Sequence, residues 1–438
     1  PIFDEFRAHG LKIFGPTKAA AQLESSKAFS KAFMQRHGIP TAAYDTFTDP
    51  VAAHAYIDKL GAPIVIKADG LAAGKGVVVA MTLEEAHAAV DFMLVDNKFG
   101  VQHNEGGARV VIEEFLAGEE ASFIVLVDGK NVCALATSQD HKRLKDGDEG
   151  PNTGGMGAYS PAPVVTADVY GRAMREIILP TVRGMAADGI PFTGFLYAGL
   201  MIGKDGSVKT LEFNCRMGDP ETQPILMRLK SDFVDLLEHG IDGTLDQVEA
   251  EWDRRIALGV VLAAANYPDT PQKGDVIGGL PKANSFGDDC HVFHAGTANQ
   301  DSKVVTNGGR VLCVTALGEN VKLAQKRAYE VADGILVMPF NSQRHHEERT
   351  LPAIDRGLAT AGRTRVSSSS LMVSTVPASA GSKNSPSPSA AGALSLRTSG
   401  WPDMKCSMMT PSTAGFSASH SPPVLVTALV LALSRSGT

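Results

Sequence analysis

The sequence predicts an α/β fold made of several α+β lobes, and two features of the first 340 residues lead to this prediction. Short runs of β-branched residues alternate there with segments whose apolar residues recur at helical spacing. Strands and helices mixed along a chain in this way are typical of the α/β and α+β classes. The chain has 438 residues, 44% of them hydrophobic and 20% charged, which suffices for the buried cores of two or three domains.

Each predicted element has a local signal. β-branched and other apolar residues cluster in segments that are therefore expected as strands, at 11–14, 63–67, 77–80, 109–113, 121–127, 195–202 and 208–213. The turn at 204–206 joins the last two strands into a hairpin. Amphipathic patterns predict helices at 19–37, 82–95 and 321–333. The first helix is stopped by Gly38 and Pro40, and the second begins with Thr82 and Glu85 in the positions of a capping box.

The composition changes near residue 340. Residues 341–438 contain 20 serines in 98 positions, nine basic residues against four acidic ones, and no sustained helical or strand period. Such a segment cannot bury enough apolar surface to offset the chain entropy that folding would cost. We therefore expect a low-complexity, disordered tail with no function of its own.

Charge, hydropathy and cysteine usage argue against several classes of protein. The formal net charge of −7 argues against a nucleic-acid-binding protein with a broad basic surface. No apolar run reaches the about 18 residues that a membrane span needs, and the longest, at 424–433, is interrupted by a threonine. The five cysteines form no C-x-x-C pair and no zinc-type spacing with histidine, so a reducing cytoplasm is the expected location.

A glycine-rich turn between two predicted strands carries two lysines. Lys67 lies at the end of one strand, and Lys75 lies in the turn with Gly70, Gly74 and Gly76. Glycine lets backbone N–H groups approach anionic oxygens, and lysine adds a positive charge. The pattern differs from a P-loop because no Gly-Lys-Ser/Thr opens a helix. It fits either a loop that covers phosphates or a plain hairpin with solvated lysines.

The next motif is a predicted strand that ends in acidic residues. An apolar run leads into Glu113 and Glu114, and Glu119 and Glu120 follow after Gly118. Backbone groups at such a strand end can bind the edge of an adenine ring, and a carboxylate can accept ribose hydroxyls. For this segment taken alone, a strand followed by a solvated acidic loop is the simpler explanation.

Polar and apolar residues alternate at the end of the predicted hairpin. Because residues at i, i+2 and i+4 of a strand share one face, Glu212, Asn214 and Arg216 point one way and Phe213 and Cys215 the other. A carboxylate and a side-chain amide oxygen suit Mg²⁺, and an arginine beside them suits an anionic oxygen. Three different polar types on one face favour a site over a merely solvent-facing strand.

A long glycine-rich segment lies between residues 139 and 161. It is too rich in glycine for a regular element and long for a passive connection. Its backbone donors, together with Asn152 and Thr153, can hold a polar substrate. His141 in the same segment is weak evidence, because a lone histidine is more often structural.

The order of these motifs resembles a known family. A lysine-bearing strand with a glycine-rich loop, an acidic hinge and then Glu-x-Asn-x-Arg on a strand resembles the ATP-grasp superfamily of carboxylate–amine ligases. Within it, residues 1–335 resemble the phosphoribosylamine–glycine ligases (glycinamide ribonucleotide synthetases) of purine biosynthesis. The segments that carry the resemblance are IKADGLAAGKGVVVA, EEFLAGEEASF, TSQDHKR, GPNTGGMGAYSPAP, GFLYAGLMI and LEFNCRMGDPETQP.

The resemblance implies an ATP-grasp fold and a division of the chain. Residues 1–25 would be the remnant of an N-terminal α/β lobe. Residues 26–240 would form the ATP-grasp domain, with a glycine-rich lid at about 45–112. Residues 250–335 would form a mixed C-terminal lobe, followed by the tail at 341–438.

The resemblance also implies roles for individual residues. ATP would be bound by Lys27, Lys67, Lys75, Glu113, Glu114, Leu116 and Glu120. Mg²⁺ or Mn²⁺ would be held by Glu212 and Asn214, and the catalytic residues at the transferring phosphate would be Arg216 and Lys75. The substrates would be contacted by Asn152, Thr153, Gly154, Gly155, Met156, Asp219, Gly309 and Arg310.

The implied reaction has two steps. The carboxylate of glycine attacks the γ-phosphate of ATP to give glycyl phosphate, and the amine of 5-phosphoribosylamine then displaces the phosphate. The partners of the chain would therefore be these small molecules, with neither nucleic acid nor membrane, and we expect a monomer.

The chain departs from the family pattern at both ends. The family begins with a G-N-G-G-R-E-H-A segment that is absent here, and the resemblance stops near Gly334, so we expect a fragment of a longer product. Many superfamily members carry a further metal carboxylate at the position of Leu200, so no third metal ligand is identified. The alternatives are another ATP-grasp carboxylate–amine ligase and an ATP-binding fragment without turnover.

Overall fold

The computed structural model of this chain describes residues 2–70, 76–98, 100, 106–145, 147, 149–282 and 285–338. The predictions for Lys75 and for the tail at 341–438 lie outside these residues. Within the described ranges, no helix is both long enough and apolar enough to span a bilayer.

Helices and strands alternate along the described residues. The α-helices are α1 (Ile2–Ala8), α2 (Gln22–Ser25), α3 (Lys27–Arg36), α4 (Pro50–Leu60), α5 (Leu83–Val90), α6 (Ala167–Arg172), α7 (Leu179–Ala187), α8 (Thr222–Arg228), α9 (Phe233–Asp242) and α10 (Val321–Ala332). The strands are β1 (Tyr44–Phe47), β2 (Ile64–Ala68), β3 (Val77–Ala80), β4 (Val110–Glu114), β5 (Glu119–Asp128), β6 (Val132–Ala134), β7 (Gln139–Asp140), β8 (Arg143–Lys145), β9 (Glu149–Asn152), β10 (Gly157–Ser160), β11 (Thr193–Ile202), β12 (Val208–Asn214), β13 (Ile256–Ala263), β14 (Val276–Gly278), β15 (Cys290–His294), β16 (Thr297–Gln300), β17 (Lys303–Thr306), β18 (Arg310–Gly318) and β19 (Leu336–Met338).

The first sheet forms a small lobe with two helices. Its antiparallel strands lie in the order β1-β4-β2-β3, and α4 and α5 cover one face. Ile66 of β2, Ile112 of β4 and Val90 of α5 are completely buried in the core between them. Because side chains alternate along a strand, Lys67 and Glu113 point to the opposite face.

The central sheet, in the order β12-β11-β5-β6, is covered on both faces. Phe123 and Leu196 pack with residues of α3, α6 and α7 in one core. Ile124 and Leu126 face the other way and pack with residues of α8 and α9 in a second core. Burial on both faces explains why β5 and β11 are almost continuous apolar runs.

The third sheet draws strands from distant parts of the chain. Its order is β15-β18-β13-β10-β7, and α10 packs on it through a core that includes Leu258, Val314 and Ala328. β10 pairs antiparallel with β13, so that Tyr159 lies opposite Leu258. The glycine-rich segment before β10 is thereby joined to the part of the chain after residue 250. A fourth sheet, β16-β17-β14-β19, and the two-stranded ribbon β8-β9 complete the described strands.

Most predicted elements are confirmed. The strands predicted at 63–67, 77–80, 109–113, 121–127, 195–202 and 208–213 correspond to β2, β3, β4, β5, β11 and β12. The capping box is present, because Thr82 Oγ1 accepts from the Glu85 N–H at 3.2 Å and Glu85 Oε2 accepts from the Thr82 N–H at 3.3 Å. A π-helical turn, Asp91–Val95, extends α5 to the predicted end.

Two predicted elements are wrong. Residues 11–14 form no strand, since no described strand pairs with them and Leu11 is exposed. The single helix predicted at 19–37 is divided into α2 and α3 at Ser26. Ser26 has extended backbone angles and its hydroxyl accepts from the Phe29 N–H, so it caps a new helix instead of continuing the old one.

An arginine joins two acidic residues beside the third sheet. Arg255 donates to Asp253 Oδ2 at 2.8 Å and to Asp289 Oδ1 at 2.7 Å, and Arg327 also donates to Asp289. The hydrogen bonds from Arg255, which outweigh the opposing effect of burial, lower the pKa of Asp253 to about 2. The ionised form of Asp253 therefore stabilises the folded chain.

This network predicts a pH-dependent loss of stability. An Asp in the unfolded chain has a pKa of about 3.9, so the contribution of Asp253 is complete above about pH 5 and is lost progressively as the pH falls toward 2. We expect Asp253→Asn to lower the urea midpoint at neutral pH, and the difference from wild type to shrink below about pH 5. Asp288→Asn, at an exposed neighbouring position, is the control. A difference that stays constant with pH would contradict the assignment.

Candidate active site

A buried carboxylate lies between two lysines where the first sheet meets α3. Glu113 of β4 is 2% exposed and forms ion pairs with Lys31 of α3 and Lys67 of β2, which are also buried. Buried charges are costly unless they are paired. Two ammonium groups share this one carboxylate, so the cluster keeps a surplus of positive charge. Lys67 also donates to the Leu211 carbonyl at 3.3 Å, which places it beside β12.

Lys27 adds a third ammonium group. It begins α3, and its Nζ donates to the Gly70 carbonyl at 2.9 Å, at the edge of the glycine-rich turn. Burial lowers the pKa of Lys27 although the carboxylate of Glu212 opposes the effect, and the charge of Lys67 lowers it further. The structure thus brings Lys27 and Lys67 together, and an anionic ligand beside them would relieve their repulsion.

Asp69 ties α3 to β2, the two elements that carry these lysines. Its carboxylate is 1% exposed. It accepts hydrogen bonds from Ser26 Oγ and the Ala28 N–H at 3.1 Å each, and from Arg109 Nε at 2.6 Å. Ser26 Oγ and the Ala28 N–H belong to the start of α3, where backbone N–H groups have no partner within the helix. Asp69 therefore sets the position of α3 relative to the first sheet.

The predicted metal ligands lie together at the end of β12. Arg216 Nη2 donates to Asn214 Oδ1 at 3.5 Å, and its Nε donates to Glu24 Oε1 at 3.1 Å. Phe213, between Glu212 and Asn214 in the sequence, is buried in the core on the other face of the strand. Glu212 and Asn214 therefore lie on one side of β12, and Arg216, two residues beyond the strand, reaches Asn214 from there, so the three predicted residues lie together.

Glu212 is surrounded by positive charge. Burial opposes its ionisation, but the cations Lys67, Lys142, Lys27 and Arg216 outweigh that effect and lower the pKa of the Glu212 carboxyl. An ionised carboxylate beside an amide oxygen is a donor set that suits a hard divalent cation. Glu212 and Asn214 therefore fit the metal that the resemblance implies.

The described residues offer no larger metal cluster. No group of three or more His, Cys, Asp or Glu side chains among them is arranged to hold a metal ion. Leu200, at the position of the superfamily's further carboxylate, is fully buried in the core of the central sheet. We expect the remaining ligands of a cation at Glu212 and Asn214 to be phosphate oxygens and water.

The residues predicted to bind adenine and ribose lie where the chain passes from the first sheet to the central sheet. Glu114 ends β4, and the half-buried Leu116 lies in the link to β5. Glu114 accepts from Lys209 Nζ at 3.1 Å, and Glu120 accepts from Lys142 Nζ at 2.7 Å. A ribose hydroxyl on Glu120 would thus share that carboxylate with Lys142.

Arg310 of β18 fastens the glycine-rich loop. Its guanidinium donates to the Gly154 carbonyl at 2.5 Å and to the backbone and side-chain oxygens of Asp219 at 2.7 and 2.9 Å. A Cβ on Gly309 would lie 2.4 Å from a ring carbon of Tyr267, and Tyr267 Oη accepts from the Gly154 N–H at 2.9 Å. The structure therefore brings Gly154, Asp219, Gly309 and Arg310 together.

The inside of the loop is held by hydrogen bonds of the Thr153 hydroxyl and of the backbone. The Thr153 hydroxyl donates to the Lys142 carbonyl at 2.8 Å and accepts from the Gly155 N–H at 3.0 Å. The Met156 N–H donates to the carbonyl of His141 at 2.7 Å. Asn152, by contrast, is exposed at the end of β9 and does not take part in these hydrogen bonds.

Several charged residues of the site were not predicted, and Lys31, Lys142, Asp140 and Glu221 show why. Lys31 follows Lys27 by one helical turn, which is a usable signal because residues at i and i+4 share a face. Asp140 and Lys142 flank His141, but the glycines and the histidine of this segment were its only features that indicated a site. Glu221 lies in the segment GDPETQP, which carries the resemblance, but no spacing pattern singles it out, because its partners Ser122 and Tyr197 lie far away in the sequence.

The sequence matches two models of one protein family. Residues 25–222 match the phosphoribosylglycinamide synthetase ATP-grasp (A) domain, and residues 257–342 match the C domain of the same synthetase. The chain is 70% identical over 334 residues to the phosphoribosylamine–glycine ligase of Ralstonia nicotianae, an alignment that covers 76% of this chain and 78% of the relative. The chain belongs to the phosphoribosylamine–glycine ligase family.

Further relatives agree with this assignment. The phosphoribosylamine–glycine ligase of Neisseria meningitidis serogroup A is 65% identical over 356 residues, which cover 81% of this chain and 82% of the relative. A solved structure of the ligase from Thermotoga maritima is 40% identical, with a TM-score of 0.68 over 77% of this chain and 82% of that one. The predicted family and the ATP-grasp fold are therefore confirmed.

The position of Asp69 predicts an effect on ATP binding. Asp69→Ala removes the charged acceptor that joins α3 to β2, so Lys27 and Lys67 lose their relative placement. We expect the Mg²⁺-dependent affinity for ATP, measured by isothermal titration, to fall about tenfold. Glu84→Gln, on the exposed side of α5, is the control and should bind ATP as the wild type does. Wild-type affinity in a folded Asp69→Ala chain would count against this role.

The metal site gives a second prediction. Glu212→Ala removes the carboxylate that is proposed to hold the metal ion, so the ligase should lose most of its preference for ATP with Mg²⁺ over ATP alone. We expect the affinity in Mg²⁺ to fall by about tenfold or more, and the affinity in chelator to change much less. The exposed Glu249→Gln serves as the matched control. Equal losses with and without Mg²⁺ would argue against metal binding at Glu212.

Proposed function

We propose that this ligase joins the carboxyl group of glycine to the amine of 5-phosphoribosylamine at the expense of ATP, and releases glycinamide ribonucleotide, ADP and phosphate. The observation that carries the proposal is the end of β12, where Arg216 donates to Asn214 Oδ1 at 3.5 Å and Lys67, Lys142, Lys27 and Arg216 lower the pKa of the neighbouring Glu212 carboxyl. Such an arrangement suits a polyphosphate with a divalent cation. Membership of the family supplies the two substrates and the place of the reaction in purine biosynthesis.

Lys27 and Lys67 are proposed to bind the phosphates of ATP. Lys67 is held between Glu113 and the Leu211 carbonyl, and Lys27 is held by the Gly70 carbonyl. Ammonium groups that are already oriented need little reorganisation when charge develops on the phosphates. Lys31 pairs with Glu113 and donates to Thr41 Oγ1 at 2.8 Å, and we propose that it balances the charge of that carboxylate.

Arg216 is proposed to stabilise the transferring phosphoryl group. Glu24 orients this part of the chain, since its carboxylate accepts from Arg216 Nε at 3.1 Å and from the Cys215 N–H at 2.8 Å. A divalent cation held by Glu212 and Asn214, Mg²⁺ or Mn²⁺, would neutralise further charge on the phosphoryl oxygens.

The reaction needs no nucleophile from the protein. A carboxylate oxygen of glycine attacks the γ-phosphorus of ATP, the bond to the β,γ-bridging oxygen breaks, and ADP leaves. The amine nitrogen of 5-phosphoribosylamine then attacks the carbonyl carbon of glycyl phosphate, loses a proton and displaces phosphate. Catalysis therefore rests on positioning and on the charges of Lys27, Lys67 and Arg216.

The glycine-rich loop from Thr153 to Met156 is proposed to hold 5-phosphoribosylamine. Arg310 and Tyr267 anchor this loop to the third sheet, so its backbone donors are presented in a defined arrangement. We also propose that the ligase is a cytoplasmic monomer. Among the described residues, Cys133, Cys215, Cys290 and Cys313 are free thiols, as a reducing compartment requires.

The proposed function predicts which substrates support ADP release. In the presence of ATP and Mg²⁺, we expect release of ADP only when both glycine and freshly generated 5-phosphoribosylamine are added. Release with bicarbonate in place of glycine would favour another ATP-grasp ligase. No release from a chain whose melting temperature still rises with ATP and Mg²⁺ would indicate an ATP-binding protein without turnover.

A further inference from the structure

Two histidines lie against each other between α4 and α5, the helices that cover the first sheet. His54 Nδ1 lies 2.7 Å from His87 Nδ1. The other nitrogen of each ring meets a carboxylate, His54 Nε2 at 3.1 Å from Asp91 Oδ1 and His87 Nε2 at 3.0 Å from Asp58 Oδ1. His54 and Asp58 belong to α4, whereas His87 belongs to α5 and Asp91 follows it directly. All three contacts therefore cross from one helix to the other.

These three contacts need three N–H protons. An ionised carboxylate only accepts hydrogen bonds, so each Nε2 must carry a proton. The separation of the two Nδ1 atoms is that of a hydrogen bond, so one of them donates and the other accepts. Two neutral imidazole rings have only two N–H groups between them. In this arrangement His54 and His87, the histidine pair, therefore carry one proton more than two neutral rings do.

No other number of protons satisfies all three contacts. Without the additional proton, two Nδ1 lone pairs face each other, or one ring changes tautomer and gives up the hydrogen bond to its carboxylate. With two additional protons, two N–H groups face each other and two positive charges lie in contact. The pair therefore binds one proton, which lies between the helices.

The surroundings of the histidine pair let this proton exchange with the solvent. The side chains of His54 and His87 are 28% and 31% exposed. Toward the sheet, α4 and α5 bury apolar residues. The titratable groups that face the pair are therefore Asp58 of α4 and Asp91 after α5, and both are exposed. Aspartates ordinarily titrate near pH 3.9, so a pH range above about 5 isolates the titration of the histidines.

We propose that His54 and His87 share a single proton, and that this proton fastens α4 to α5. The two helices pack on β2 through a common apolar core. Since β2 also carries Lys67 on its other face, the shared proton stabilises the lobe that presents this lysine. The pair thus makes the stability of the first sheet and its helices sensitive to pH.

The proton count determines the form of this pH dependence. In the unfolded chain the two imidazoles titrate near pH 6.5, from two additional protons to none. Below that pH the unfolded chain binds more protons than the folded pair, so the contribution of the pair to stability rises with pH. Above that pH the folded pair binds more, so the contribution falls as the pH rises. The contribution is therefore largest near pH 6.5, whereas an ordinary histidine–carboxylate ion pair contributes most at low pH and loses its effect steadily as the pH rises.

The test is hydrogen–deuterium exchange of the full chain from about pH 5 to 9, with a chelator present so that no metal ion replaces the proton. The double variant His54→Gln, His87→Gln is compared with the wild type at each pH, which cancels the intrinsic pH dependence of exchange. We expect α4 and α5 to exchange about fivefold faster in the double variant near pH 6.5, with a smaller ratio at both ends of the range. His87→Gln alone keeps His54 and Asp91 as an ordinary ion pair, so its advantage over the double variant should fall steadily as the pH rises. His9→Gln, at an exposed position after α1, is the control and should leave α4 and α5 protected.

A second measurement reads the shared proton directly and needs no folded variant of the pair. In the full wild-type chain labelled with ¹⁵N at histidine, the side-chain nitrogen shifts report how many protons each ring carries. We expect His54 and His87 together to keep one additional proton while the exposed His9 changes from charged to neutral. Two rings that lose their protons together with His9 would overturn the proposal, as would a wild-type protection that falls steadily from pH 5 upward.

Discussion

A cluster of buried lysines at the junction of the first and central sheets determines how this site is arranged. Lys27, Lys31 and Lys67 converge there, and Glu113 is the carboxylate that pairs with two of them. Ammonium groups this close repel one another, and burial increases the cost. The fold tolerates the repulsion between these lysines because other interactions hold α3, β2 and β4 in place. These are the hydrogen bonds of Asp69 and the packing of the apolar cores. A polyanion bound beside these lysines would relieve the repulsion.

Beside the glycine-rich loop, the site holds buried carboxylates where the other end holds buried lysines. Asp140 and Glu221 lie there, and the nearby cations Lys142 and Arg310 form ion pairs with other carboxylates. The charged side chains therefore change in kind along the site, from the lysines of the first sheet to the carboxylate beside Gly155.

Local patterns in the sequence predicted one part of this site well. The period of a strand was enough to bring Glu212, Asn214 and Arg216 to one face, and the glycine-rich motifs indicated loops next to it. Asp69, Asp140 and Glu221 could not be found in this way, because their partners are distant in the chain and only the fold brings them together. The strand expected at 11–14 failed for a related reason: an apolar run becomes a strand only where another strand is available to pair with it. Ser26 shows that a single capping residue outweighs a continuing helical pattern.

The pairing of β10 with β13 has a consequence for how this ligase could be divided or recombined. β10 follows the loop that holds Arg310, and β13 belongs to the last third of the described chain. A chain cut after α9 would leave one side of β10 with unpaired N–H and C=O groups, an edge of the kind that promotes aggregation. The C-terminal lobe is therefore not an exchangeable module. A chimera with a foreign lobe would have to reproduce the register in which Tyr159 lies opposite Leu258, or the glycine-rich loop would lose its support.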